Sequence, residues 1–167
     1  MNVPVPAHDV PLDPLIEAVT LKFTAHFVPG GEVLYRGETG WCAPGRGASR
    51  NPRMPDVDRD RLPDVIIHDP ARDGLYLVDA VTRHGIVDHG RREELARLFA
   101  GSAVWLEFVS ALTTRAQLGL CADGIAWETV VWMADAPEHL IHYNGSRVLG
   151  PYRSCYEGDR ASPDHIP

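Results

Sequence analysis

Two carboxylates frame the stretch with the sharpest chemical content, PDVIIHDPARDGLYLVDAV, which runs from Pro63 to Val81. Asp64 opens the apolar run Val65-Ile66-Ile67, and Asp79 closes the run Leu75-Tyr76-Leu77-Val78. Asp69-Pro70 and Asp73-Gly74 supply turn chemistry between them, so the runs read as antiparallel strands of one hairpin. The open ends of such a hairpin meet, which brings Asp64 and Asp79 together. Paired carboxylates at a sheet edge suit Mg²⁺, a hard cation that takes one or two carboxylates and fills its octahedron with water and phosphate oxygens. A metal held this way polarises a phosphate and activates a water for attack. Taken alone the pair is a weak signal, because aspartate is common at strand ends and turns.

Other polar groups carry two readings each. His84, in Thr82-Arg83-His84-Gly85, either contacts phosphate and positions water or only holds a turn. Arg46, Arg50 and Arg53 either grip backbone phosphates or stay solvated. His139, His142 and Asn144 surround a last hairpin; His142 and Asn144 are candidate DNA contacts, with a structural hairpin as the alternative. Glu17 and Glu94 are second-rank metal ligands, or solvated acids on helices. Trp127 and Trp132 fall on opposite faces of one expected strand, so at least one belongs to the core. Glu128, beside Trp127, is either buried or functional.

The elements that must position these groups follow from spacing. Asp13-Pro14 is an N-cap with proline at the first helical position, and Ile16, Val19, Phe23 and Phe27 repeat at helical spacing. A helix is predicted over 14–27, stopped by Pro29-Gly30-Gly31. A short strand covers Glu32 to Arg36, and residues 37–61 read as a long surface loop. After the 63–80 hairpin, Asp88 caps a helix to about Ala100, with Leu95, Leu98 and Phe99 inward and Gly101 ending it. A strand is predicted from Ala103 to Val109, and a short helix capped by Thr113 or Thr114 runs to about Cys121. A further strand spans 125–133, and HLIHYNGSRVL forms a hairpin around Asn144-Gly145. Residues 1–12 read as loose and the stretch after Tyr152 as a polar tail, leaving 13–152 as one domain. The order implies an α/β or α+β fold, a mixed sheet with helices on its faces.

The 167 residues suit a single domain, and 44% hydrophobic with 23% charged is ordinary for a globular chain. No apolar run reaches the roughly 18 residues of a membrane helix, and the N-terminus lacks a signal-peptide pattern. Cys42, Cys121 and Cys155 are odd in number and form no CxxC pair, which reads as free thiols in a reducing cytoplasm rather than a zinc site. The net charge of −7 argues against a general nucleic-acid coat protein but not against a metal-dependent nuclease, because metal-holding carboxylates add negative charge. Basic character is nearly all arginine, with Lys22 the only lysine.

The hairpin resembles the core of the PD-(D/E)XK nucleases, with Pro63-Asp64 at PD, Asp79 at (D/E) and Ala80 at X. Longer segments resemble the PstI-like (BsuBI/PstI) type II restriction endonucleases. DAVTRHG is similar to the family's EAVTSHG, and AWETVVWMADAPEHLIHYNGSRVLGPY is similar to its C-terminal block. GGEVLYRGETG and REELARLFAG also match, so the resemblance covers roughly residues 14–152. It implies a restriction-endonuclease-like core whose metal ligands are Asp64, Asp79 and Ala80, with Mg²⁺ as cofactor. It further implies double-stranded DNA as substrate, a homodimer reading a palindrome, and a companion methyltransferase.

The sequence departs from the family at several points. The lysine position falls on Val81, as the family's own EAV already has it, and the positive group is thought to come from a Lys-Arg pair on the next helix. Here that pair reads Gly90-Arg91. Arg91, His84 and Lys22 are the candidates for the missing cation, with Arg91 first because it matches the family arginine. Its alternative is a solvated charge on a helix surface. Val130 stands where the family has glutamate, and Asp79 replaces a glutamate. Family enzymes also carry a helix-turn-helix-like domain before the nuclease domain, so a separate protein supplies it, the chain is truncated, or it works without one. Two hypotheses stand: an active endonuclease with Asp64, Asp79, His84 and Arg91 catalytic, or a decayed domain that holds DNA or a partner.

Overall fold

The computed structural model describes residues 13–37, 41–42, 54–55, 57–83, 85–102 and 104–144. Arg46, Arg50, Arg53, His84, the turn after Asn144 and both expected loose ends lie outside these residues. Among the described residues, seven strands form one sheet in the order β2-β1-β3-β4-β5-β6-β7. They are β1 Glu32–Arg36, β2 Trp41–Cys42, β3 Val65–Asp69, β4 Gly74–Ala80, β5 Trp105–Leu112, β6 Thr129–Met133 and β7 Leu140–Tyr143.

The expected hairpin is β3 and β4, antiparallel, with Val65 opposite Val78 and Asp69 opposite Gly74. Asp73 takes the left-handed conformation at the turn, with φ 49°. A side chain at Gly74 would strike the Trp105 ring, 2.6 Å from the place a Cβ would occupy, so glycine is needed there. Both strands are buried along their whole length, which fits an interior hairpin covered on both faces. β4, β5 and β6 run parallel, linked by crossovers through helices α3 His89–Leu98 and α4 Arg115–Cys121. The sheet is therefore mixed and the fold α/β, as the element order implied.

One face is covered by the N-terminal helical run over residues 14–27. It is not one regular helix. It opens as α1 Pro14–Ala18, capped by Asp13, widens to a π-helical turn Val19–Phe23, and closes as α2 Thr24–Phe27. Thr24 Oγ1 donates to Val19 O at 3.2 Å, across the widened turn. Leu15, Ile16, Val19 and Phe23 pack on Val65, Ile67, Tyr76, Val78, Val109 and Trp132. Phe23 meets both Tyr76 and Trp132 edge-on at 5.8 Å, contacts worth about 0.5–1.5 kcal/mol each beyond their buried area.

The opposite face packs on α3. Leu95 and Phe99 bury against Ile66, Leu75, Leu77 and Phe108. Asp88 caps α3 by accepting from Arg91 N at 2.8 Å, and Phe99 closes it before the short turn Ala100–Ser102 that holds Gly101. Thr114, not Thr113, caps α4, with Gln117 completing a capping box. Two strand boundaries differ from expectation. β5 extends to Leu112, because its second half is wholly interior between β4 and β6. β6 begins only at Thr129: Trp127 and Glu128 form a turn, Glu128 with φ 61°, so the strand predicted over 125–133 loses its first half. Trp127 is 67% exposed, outside the sheet, and Trp132 is the core tryptophan.

Candidate active site

The hairpin puts both acids where the sequence placed them. Asp64 precedes β3 and Asp79 lies one residue from the end of β4. The register that pairs Val65 with Val78 makes Asp64 and Asp79 the next opposed positions. Both are buried, with no measurable exposure. Asp64 Oδ2 accepts from Ala80 N at 2.8 Å, which ties the first acid to the residue following the second. A buried charge is tolerated only when paired and hydrogen-bonded, so the partners decide what this site is.

Each acid has an arginine. Arg91 Nε donates to Asp79 Oδ2 at 2.7 Å and Arg91 Nη2 to Asp79 Oδ1 at 3.2 Å, a two-point grip. The same guanidinium donates to Glu94 Oε2 at 2.9 Å, Arg61 O at 3.1 Å and Leu62 O at 3.2 Å. It is thus a clamp joining α3, β4 and the turn before β3, and not a solvated surface charge. Burial disfavours its charge, but Asp79 and Glu94 outweigh burial and hold Arg91 above its ordinary value. The Arg91 hydrogen bond in turn pulls Glu94 below the usual carboxylate range. Arg83, from the turn after β4, places Nε 3.2 Å from Asp64 Oδ1.

The remaining candidates scatter. Val81 packs among core residues and offers no charge. Lys22 is exposed on the helical run that covers the other face of the sheet. Glu17 is exposed on α1, and Glu94 is engaged by Arg91 and by Arg61 at 3.2 Å. Among the described residues no group of three or more His, Cys, Asp or Glu side chains is arranged to hold a metal. His142 and Asn144 lie on and just after β7, three strands from β4, or about 14 Å across the sheet. His142 is exposed, yet partial desolvation pushes its imidazole below the ordinary value. Glu128 is neither buried nor beside the acids: it pairs with Arg92 at 2.6 Å.

Sequence reasoning passed over two contributors. Arg83 sits two positions past Val81, and the signal was there: it is the first cation along the chain after Asp79. Ser110 stands beside Asp79 in the β4–β5 register, and its Oγ accepts from Val87 N at 2.9 Å, anchoring the approach to α3. Nothing local marks Ser110, since only the parallel pairing brings it there.

Comparison with known proteins settles the family. The family model described as the BsuBI/PstI restriction endonuclease domain matches residues 11–146. The chain belongs to that family. It is 45% identical over 141 residues to the type II restriction enzyme BsuBI of Bacillus subtilis, covering 83% of this chain and 44% of that enzyme. It is 32% identical over 98 residues to the type II restriction enzyme AplI of Arthrospira platensis, covering 56% of this chain and 30% of that one. The solved structure of the SdaI restriction endonuclease superposes with a TM-score of 0.66 and 33% identity, over 87% of this chain and 47% of SdaI. The chain spans less than half the length of each of these relatives.

The donor set of this BsuBI/PstI domain fits a hard divalent cation. Asp64 and Asp79 offer only oxygens, both buried and opposed across one strand pair. The Ala80 carbonyl is the third oxygen on the same strand end, and it accepts from Arg83 N at 2.9 Å while keeping a second lone pair. The arginines that now satisfy the acids do so as cations, the role a metal would take over.

Proposed function

We propose that this chain is the cutting domain of a type II restriction endonuclease that hydrolyses phosphodiester bonds of double-stranded DNA with Mg²⁺. The observation that carries the reading is the burial of Asp64 and Asp79 at opposed strand ends, tied through Ala80 N, within a domain of this family. Asp64, Asp79 and the Ala80 carbonyl would hold the ion, which when bound polarises the phosphate and lowers the pKa of water. The chain's own residues do the rest. Ala80 N orients the Asp64 carboxylate, and Arg91 fixes the Asp79 carboxylate in its two-point grip. The turn before β3 is held in place by the same guanidinium through Arg61 O and Leu62 O. Water oxygen bonds to phosphorus as the P–O3′ bond breaks; the 3′-oxygen takes up one proton, the attacking water releases one, and one water is consumed. The products are a 3′-hydroxyl and a 5′-phosphate.

A homodimer acting on a palindromic site, in the cytoplasm of a cell that carries a protecting methyltransferase, is the setting this chemistry suits. Site recognition then falls to a DNA-binding part outside this domain, in the same polypeptide or a separate one. The direct test is incubation of supercoiled plasmid with purified protein and Mg²⁺. Nicking that disappears with EDTA and in Asp64→Asn supports the reading, and intact plasmid under all conditions refutes it.

One observation favours a second reading, a holding domain that binds without cutting. Each oxygen of the two carboxylates already faces a donor nitrogen at 2.7–3.2 Å. A site so fully neutralised can be a stable structural quartet. Metal binding that leaves DNA intact in the plasmid assay selects this reading.

A further inference from the structure

We propose that Arg83, and not Arg91, is the cation that meets the scissile phosphate, taking the place Val81 leaves empty; the proposal rests on the nuclease reading above. Such a cation must lie beside the acids, reach solvent, and leave its resting partner at small cost. Arg91 fails the last two conditions. Its guanidinium makes five hydrogen bonds, to Asp79 twice, Glu94, Arg61 O and Leu62 O, and its side chain is 14% exposed. Turning it toward a phosphate would strand the buried Asp79 and release the turn before β3 together.

Arg83 lies beside the acids and reaches solvent, and when it leaves, the equally buried Asp64 keeps its Ala80 N hydrogen bond and would be neutralised by the ion it holds. Its Nε lies 3.2 Å from Asp64 Oδ1, and its side chain is 39% exposed. Among the described residues that ion pair is its one polar side-chain contact. Its backbone is anchored while its side chain is long: Arg83 N donates to Ala80 O at 2.9 Å, and Gly85, with φ 87°, turns the chain away toward α3. Thr82 beside it is tied by its hydroxyl to Asp13 at 2.6 Å, so the turn itself is held against the N-terminal helix. Among the described residues, two other cations fall away on placement. Lys22 rides on the helical run over the opposite sheet face, and Arg92 is paired with Glu128 at 2.6 Å.

The resting ion pair also makes the exchange conditional. While Asp64 carries no metal, its charge holds the Arg83 guanidinium. A divalent ion on Asp64 neutralises that charge, and the guanidinium is then released to the phosphate, where two parallel donors suit two phosphate oxygens. It stays protonated throughout, so it acts by charge and geometry and accepts no proton.

Two measurements on the whole chain test this. The first is single-turnover cleavage of plasmid in Mg²⁺ by wild type, Arg83→Ala and Arg83→Lys. Arg83→Ala is expected to lose a factor of about 10²–10³, as for other fixed charge-stabilising groups, with Arg83→Lys intermediate. The second is affinity for a random-sequence duplex, with Ca²⁺ and without a divalent ion. Arg83→Ala should weaken binding about tenfold in Ca²⁺ and leave metal-free affinity unchanged, a conditional effect that a structural arginine would not give. Wild-type cleavage rate in Arg83→Ala overturns the proposal. If wild-type protein does not cleave, the nuclease reading falls, and the duplex measurement alone decides on Arg83: equal affinities in Ca²⁺ overturn it. If Arg83→Ala melts far below wild type, Arg83→Lys carries both measurements, and a rate and an affinity equal to wild type in Ca²⁺ overturn the bidentate role.

Discussion

The two ends of the β3–β4 hairpin use the same residue types for different ends. At the turn, Asp69 is buried and its Oδ1 accepts from Ala71 N at 3.0 Å, two residues along the chain. Arg72 stands 3.9 Å from it with a side chain 41% exposed. At the open end, Asp64 accepts from Ala80 and faces Arg83, and Asp79 is gripped by Arg91, all far away in sequence. The turn acid serves its own backbone, shaping a local loop. The open-end acids serve the tertiary structure: they are held by groups that fold together only when the sheet and α3 are assembled. An acid whose partners are local is a turn-maker, whereas buried acids paired with cations distant in sequence are candidates for a site.

The largest expected effect separates the two ends by activity. On the nuclease reading, Asp64→Asn or Asp79→Asn should cut Mg²⁺-dependent plasmid cleavage by about 10³ or more, since each removes a charge that would hold the ion. Asp69→Asn keeps an oxygen for Ala71 N and should cleave within a few-fold of wild type. Cleavage lost equally in Asp69→Asn would erase the distinction between turn and site.

Stability gives the next contrast. Arg91→Ala leaves Asp79 buried and uncompensated, and should cost about 3–5 kcal/mol in denaturant unfolding. Arg72→Ala removes a half-exposed pair and should cost under about 1 kcal/mol. Equal losses would mean that burial at the open end carries no special weight.

Metal linkage is smaller. An ion binding the folded state at a hundred times its dissociation constant raises stability by about 2.7 kcal/mol. Mg²⁺ should therefore raise the melting temperature of wild type and Asp69→Asn, and leave that of Asp64→Asn unmoved. A shift of equal size in Asp64→Asn would place the ion elsewhere.

The smallest effect is in pH. Arg91 depresses Glu94 in the folded state, so its share of stability is present above the unfolded carboxylate range and is lost as pH falls through the depressed folded value. The stability difference between wild type and Glu94→Gln should accordingly shrink as pH is lowered from neutrality into the acid range. A difference that stays constant with pH would show that Glu94 contributes packing and not charge.

Much of this was written in the chain. Alternation and turn residues placed the β3–β4 hairpin and opposed Asp64 to Asp79, because strand pairing across a short turn is a local geometric rule. Asp13, Asp88 and the Thr113-Thr114 pair announced three helix starts, because a side chain that satisfies an N-terminal amide does so within a few residues; the structure selects Thr114 of the pair. Tertiary structure alone decided the partners. The family resemblance singled out Arg91 but not its partner, and Arg83 looks, in sequence, like any surface arginine; the pairing of Arg91 with Asp79 and of Arg83 with Asp64 appears only where α3 and the turn after β4 close over the buried acids. It also decided that β6 starts after Glu128, whose left-handed backbone is imposed where Arg92 and the end of β7 meet it. Local rules act over a turn of chain, whereas a buried charge is settled by whichever opposite charge the fold brings within hydrogen-bond reach.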